Sequence, residues 1–475
     1  MEVTSRKMVR VRGVSRIASV VCFGALLLGA RSARADGAFP DSLGIMTPDA
    51  LPHEIVLATN FGLVISVDDG QTWTWACEST ASANGSLYQM GPSPRNRIYT
   101  VAAAGLAYTD DSACTWTLAS GGSANLTVLD AFVDPTNSDR VLSIVSENGD
   151  AGATYEVLES SDAGTTLGTL RYTAAAGDHL SGIEIARSAP QTVYLTLTSG
   201  TNPLVPKLAQ STNGGTSFPT HDLSAMLGPG VTSIRLIAVD PQNPGTVFMR
   251  VASYNPDGGA QERIAVTTDG GASVTTPLAL PGGNVQSFAR LPNGHLLAGG
   301  VLGSTPVVYR SIDGGTTFQQ LPTTPPFLKG LSARGGTVYG VADDVLDGYA
   351  IATSTDEGMT WTPVISYDQI QAIQTCVMQS CQNDCLMRAD MGQWSQDFCA
   401  AAAPPPHDAG TVTDGATGGA GGHAATDAST ADGAGGATPA KSSGCHCNVA
   451  SSPAPAQLSG LALALAAVLA RRRRR

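Results

Sequence analysis

The chain has 475 residues, 54 of them Gly and 28 Pro, with only 14% charged; at roughly 100–200 residues per domain, that is room for about two to four ordinary domains or one large repeat domain. The formal net charge is −12, but the first 35 residues carry seven Lys/Arg against one acid and the last five are all Arg, leaving 15 basic and 38 acidic residues between them. So acidic a middle repels phosphate backbones and anionic headgroups, which excludes a nucleic-acid binder, and the Gly/Pro content argues against a helical bundle or coiled coil.

Residues 1–35 read as a secretory signal. Lys7, Arg10, Arg12 and Arg16 make a basic start, residues 17–30 a short apolar core, and Ala33-Arg34-Ala35 a small-x-small cleavage site before Asp36. Cys22 lies inside the apolar core and reads as filler there.

The region 36–366 is a seven-fold repeat. An eight-residue box, Ser/Thr-x-Asp-x-Gly-x-Thr/Ser-aromatic, starts at 66, 109, 160, 211, 267, 311 and 354. The steps of 43–56 residues fall in the range of propeller blades. The third position is Asp68, Asp111, Asp162, Asn213, Asp269, Asp313 and Asp356, and Ala113 takes the Gly place of the second box. Apolar or alternating runs flank most boxes, so each box predicts a turn between two strands. Asp accepts backbone N–H bonds of its own turn, Gly tolerates positive φ, and the last residue enters the blade core. Upstream of the boxes an apolar strand, a Pro turn and a second strand recur, as in residues 129–141 and 234–247. Strand, turn, strand, loop, strand, box, strand, seven times over, predicts an all-β fold: a seven-bladed β-propeller.

These boxes resemble the Asp-box or BNR repeats of sialidases, sortilin-like receptors and certain glycoside hydrolases. The resemblance covers about residues 42–366 and implies structural turns at the blade edge, not catalytic or metal-ligating aspartates. Nothing like the Phe/Tyr-Arg-Ile-Pro stretch of sialidases stands near residues 40–63, and the first Arg after the signal is Arg95.

Residues 367–401 read as a small Cys-rich helical hairpin, helix, Gly392 turn, helix, that plugs or braces the ring. Six cysteines precede the tail of the exported chain: Cys77, Cys114, Cys376, Cys381, Cys385 and Cys399, a disulfide set. The sequence predicts a Cys77–Cys114 bridge between adjacent blades and two bridges across the hairpin, with three pairings open; zinc is the rival reading of those four. Residues 402–443 are Ala, Gly, Thr, Asp and Pro with almost no apolar bulk, a disordered linker that cannot offset its ordering entropy and spans roughly 35 Å as a coil.

In residues 444–475, Cys445 and Cys447 flank His446. A spacer, an apolar run over 458–470 and five terminal Arg follow. Thirteen residues rise about 20 Å as a helix, short of a ~30 Å hydrocarbon core unless part of the spacer joins them. The order closely resembles the MYXO-CTERM sorting signal. It implies trimming near Cys445 and Cys447, lipid attachment there, and display at the outer membrane.

Catalytic motifs are scarce. No Gly-x-Ser-x-Gly elbow, P-loop or His-Glu-x-x-His is present, and no metal or cofactor is implied. Asp130, Glu184 and Asp240 lie in innermost-strand or turn regions, where they could face a channel as a glycosidase carboxylate pair; Asp134 and Asp240 equally suit Asp-Pro turns that cap their own backbone. Residues 198–206 and 253–262 are the longest blade loops. Tyr254, Asn255, Asp257 and Gln261 could meet glycan hydroxyls or form an ordinary exposed loop, and Trp75 and Trp394 are possible platforms. The expected function is a cell-surface, non-catalytic propeller that holds a protein or polysaccharide partner on a loop face, with a glycoside hydrolase using channel carboxylates as the alternative.

Overall fold

A computed structural model describes residues 40–400 except 82–86, 103–104, 123–125, 150–151 and 257. The signal segment, the linker, Cys445, Cys447 and Asp257 lie outside the described residues. Seven antiparallel sheets form in chain order, each from four consecutive strands, with a fifth short strand added to the first sheet. Blade 1 is Ser42–Met46, Ile55–Thr59, Gly62–Ser66 and Thr74–Cys77, and blade 7 is Gly330–Arg334, Thr337–Val341, Ile351–Ser354 and Thr362–Ile365. The first strand of each blade lines the axis, and at six of the seven junctions it packs against the first strand of the next blade; the first strand of blade 6 packs instead on the third and fourth strands of blade 5. The fold is a seven-bladed β-propeller.

Each box bridges the third and fourth strands of its blade. Ser66 Oγ donates to Asp68 Oδ1 (2.8 Å) and accepts from the Gly70 N–H (2.8 Å), while the Thr72 N–H and hydroxyl both bond the Asp68 carboxylate (2.9 and 2.6 Å). In the other six boxes the first-position hydroxyl likewise accepts the fifth-position N–H. Two successive residues adopt left-handed φ, at 60° and 85° in the first box and at 53° and 72° for Ser112 and Ala113. Only Gly does this without strain.

Among the described residues the four main strands of every blade are consecutive in the chain. After blade 7 the chain crosses to blade 1, where Ala372–Ile373 pairs in parallel with the outer strand Thr74–Cys77. A helix, Met378–Asp390, and a 3-10 turn, Gln396–Ala400, then lie on the perimeter. The second expected helix is thus one 3-10 turn, and the segment braces the rim of the ring. Phe61, Trp75, Tyr367, Trp394 and Phe398 stack beneath it, with ring centroids 4.7–6.4 Å apart. Trp75 and Trp394 are buried in this cluster and are not platforms.

The disulfides lock that clasp. Cys77 bonds Cys381, Cys114 bonds Cys376, and Cys385 bonds Cys399. The expected Cys77–Cys114 bridge does not form. Cys77 pairs in register with Gly62 at the start of the third strand, whereas Cys114 sits in a box at the opposite end of its blade, so the two face different sides of the ring. One bridge, not two, lies within the helical segment.

The two outer bridges close loops with sequence separations of 304 and 262 residues; chain-entropy arguments give such a loop about 5 kcal/mol as an upper range. Combining Cys376→Ser with Cys381→Ser should lower stability by about 3–5 kcal/mol in urea unfolding, and an unchanged midpoint would show that the clasp does not close the ring. Because Cys376 is exposed while Cys77 and Cys381 are buried, limiting reductant should free Cys114 and Cys376 first in thiol-labelling mass spectrometry.

Candidate functional site

The innermost strands leave one edge unpaired toward the next blade, and side chains cap it. Gln89 Oε1 accepts from the Val133 N–H (3.2 Å), Asp130 Oδ2 from Ile183 (3.0 Å), Glu184 Oε1 from Val239 (2.8 Å) and Glu262 Oε2 from Val285 (2.9 Å). Two of the three carboxylates that the sequence offers for catalysis are therefore seam clamps. Asp240 accepts the Gln242 and Asn243 N–H groups (2.8 and 2.9 Å) and pairs with Arg290 (3.2 Å). Asp134 accepts from the Thr136 N–H (2.9 Å) and pairs with Arg140 (3.1 Å).

Burial pushes the Asp130 carboxyl up to about 6, against the two backbone N–H bonds it accepts. Burial pushes Glu184 up to about 8, against the Val239 N–H bond, with the Asp130 charge adding to the rise. The folded state thus favours neutral Glu184. This contribution is full below its ordinary value of 4.5 and is lost as pH rises through about 8. Glu184→Gln keeps the acceptor and should flatten the fall in urea midpoint between pH 5 and 8; an unaltered pH slope would refute the clamp's titration.

The box aspartates shift the other way. The Thr317 hydroxyl, then the Thr317 backbone N–H, hold Asp313 down to about 2, and Ser273 does the same for Asp269. Their stabilisation is present above the ordinary 3.8 and disappears as pH falls toward about 2. Asn213 is built differently. Its Oδ1 accepts the Ser217 N–H (3.1 Å) and its Nδ2 donates to Ser217 Oγ (2.8 Å). The double variant Asp269→Asn, Asp313→Asn should fold and lose part of the acid sensitivity between pH 4 and 2, read by circular dichroism; a wild-type acid profile would count against this.

Box tips also meet the preceding blade, at residues that the sequence reading passed over. Arg97 donates to Ala163 O, Arg140 to Gly214 O (3.0 Å) and Arg310 to Glu357 (3.2 Å), and Arg334 lies 3.6 Å from Asp69. Gln210 covers Gly270, where a Cβ would fall 2.7 Å from its Oε1. Nothing stands within 4 Å of a Cβ at Gly314, the corresponding tip of blade 6.

On the face opposite the boxes, blades 5 and 6 part to form a cleft of about 390 Å³. The hairpin between Val247–Asn255 and Gly259–Thr267 supplies Tyr254, 57% exposed, and Gln261. Thr232 and Asn284 line the cleft from the inner strands of the two blades, and the buried Ser253 hydroxyl has no hydrogen-bond partner. One exposed aromatic ring among amides, hydroxyls and the Glu262 carboxylate suits a polyol. Among the described residues no group of three or more His, Cys, Asp or Glu side chains could hold a metal ion.

No family model and no curated protein matches the chain. Solved structures do. A GH74 xyloglucanase from Xanthomonas campestris is 13% identical over 68% of this chain and 58% of its own, with a TM-score of 0.34. A puromycin-hydrolyzing peptidase from Mycobacterium tuberculosis is 12% identical over 68% and 53%, at 0.49. YCF48 from Cyanidioschyzon merolae is 11% identical over 66% and 94%, at 0.44. The chain spans little more than half the length of the two hydrolases. At such identities the likeness shows the propeller fold alone.

Proposed function

We propose that this is an exported, non-catalytic Asp-box propeller of the BNR kind, held at the outer surface by a lipid-modified MYXO-CTERM tail, that binds a polysaccharide in the cleft between blades 5 and 6. The observation that carries the reading is Tyr254, more than half exposed beside Gln261 and Asn284 in a preformed cleft. Disulfides persist in oxidising, extracytoplasmic surroundings, which agrees with export. The rival, a glycoside hydrolase, draws on Glu184, whose raised carboxyl resembles a general acid and which borders a cavity of about 440 Å³ at the box-side mouth of the channel. Against it, Glu184 and Asp130 each accept a backbone N–H of the next blade.

Isothermal titration with envelope polysaccharides should give saturable binding without release of reducing sugar. Tyr254→Ala should weaken that binding at least tenfold and leave the melting temperature unchanged. Reducing-sugar release abolished by Glu184→Gln would establish the hydrolase instead, and a protein ligand insensitive to Tyr254→Ala would move the site elsewhere.

A further inference from the structure

The channel wall is irregular in a systematic way. In five of the seven innermost strands the pairing register skips residues: Leu43, Leu129, Ser181 and Gln286 once each, and both Thr232 and Ile237 in blade 5. Such a bulge re-aims the extra residue and frees it from the alternation of the strand. Leu43 and Leu129, with Leu87 on the inner strand of blade 2, are 38–42% exposed, a costly arrangement for leucines that nothing covers. Leu43, Leu87, Ile237, Phe288 and Leu331 surround a cavity of about 310 Å³. A second cavity, of about 260 Å³, shares Ile237, Gln286, Ser287 and Phe288 with it and adds Arg235 and Arg250.

The polar end is unsatisfied. Gln286 Oε1 and the Ser287 hydroxyl are buried in the wall without a hydrogen-bond partner, the hydroxyl lying against Gly299 of the adjoining strand. Arg250 is engaged by Glu262 (3.8 Å) and Val285 O (3.0 Å). Arg235 is exposed, feels the Asp130 charge, and makes no hydrogen bond or ion pair within 4 Å among the described residues.

We infer that the channel binds a single-chain anionic amphiphile, its tail within the apolar collar and its headgroup on Arg235. Charge complementarity selects this occupant. An uncharged tail alone leaves Arg235 unpaired, and a cationic head is repelled by two guanidinium groups. A carboxylate, by contrast, accepts from the Arg235 guanidinium. The site is separate from the cleft at Tyr254 and stands or falls without it.

The test uses the oxidised mature protein and the fluorescent probe 11-(dansylamino)undecanoate. Saturable enhancement, displaced by decanoate and not by decyltrimethylammonium, is expected. Arg235→Gln should weaken the probe about tenfold, as for loss of a charge-assisted hydrogen bond, and Ile237→Trp should block it. Ile312→Ser, on an exposed box tip, should leave binding unchanged, and melting curves verify that each variant is folded. Absence of saturable binding, equal displacement by the cationic amphiphile, or wild-type affinity in folded Arg235→Gln would overturn the proposal. Polysaccharide binding that survives in Arg235→Gln separates this site from the cleft.

Discussion

A ring of sheets must hold its first sheet against its last. Among the described residues every blade takes its four main strands from consecutive chain, so the seam between blades 7 and 1 is held by the packing of Val341, Ile351 and Ile365 with Ile55 and its neighbours and by side-chain bonds. Ser42 and Tyr367 share a hydrogen bond (2.6 Å), as do Thr47 and Ser332 (2.7 Å), Lys329 pairs with Asp41 and Asp343, and Arg334 donates to the Leu51 and Glu54 carbonyls (3.2 and 2.7 Å). Partly exposed bonds of this kind are worth about 1 kcal/mol or less each. The clasp adds what they lack: an extra strand, an aromatic cluster and two covalent links to blades 1 and 2. Cys376 reaches the box of blade 2, the one whose Gly place holds Ala113. Closure is therefore reinforced in an oxidising compartment, where the two covalent links persist.

The same edge problem recurs at every junction between blades, and acidic side chains are one solution. A carboxylate that accepts a buried N–H from the next blade satisfies a donor that would otherwise cost about 1–3 kcal/mol. It does so at the expense of its own hydration, which raises its pKa. A channel acid with a raised pKa is thus ambiguous between clamp and catalyst. The partner decides: Asp130 and Glu184 face backbone amides of the adjoining strand, not each other across an open space.

How far the sequence reaches follows the distance over which each feature is determined. A box contains its own donors and acceptors within eight residues, so seven in phase reveal blade number, strand order and turn position. The exposed loop that bears Tyr254 was legible for the same reason. The latches on the box tips were not, because Arg97 and Ala163 are 66 residues apart and an arginine before a strand says nothing of the next blade. Cys77 and Cys114 looked like neighbours because their blades are adjacent; what separates them is the direction of the strand each one ends. Bulges escape detection altogether. One skipped residue reverses which face the rest of the strand presents, so neither the exposure of Leu43 nor that of Leu129 follows from alternation.

Among the described residues, buried polar atoms without a partner occur in blades 2 to 6 and in the clasp, and half of the residues concerned, Ser253, Arg263, Gln286, Ser287 and Arg290, belong to blades 5 and 6. In the box of blade 6, Gly314 is open, while Phe248 of blade 5 packs against Gly315. Blade 2 has its disulfide, and blades 1, 3, 4, 5 and 7 have a side chain from the preceding blade against the tip. The junction of blades 5 and 6 opens a cleft on one face and the polar end of the channel beside it. Binding groups left unpaired in the free protein destabilise it, and a fold can bear them where the remainder is over-determined. A covalently clasped ring is such a remainder, and it leaves the junction of blades 5 and 6 free to be shaped by a ligand.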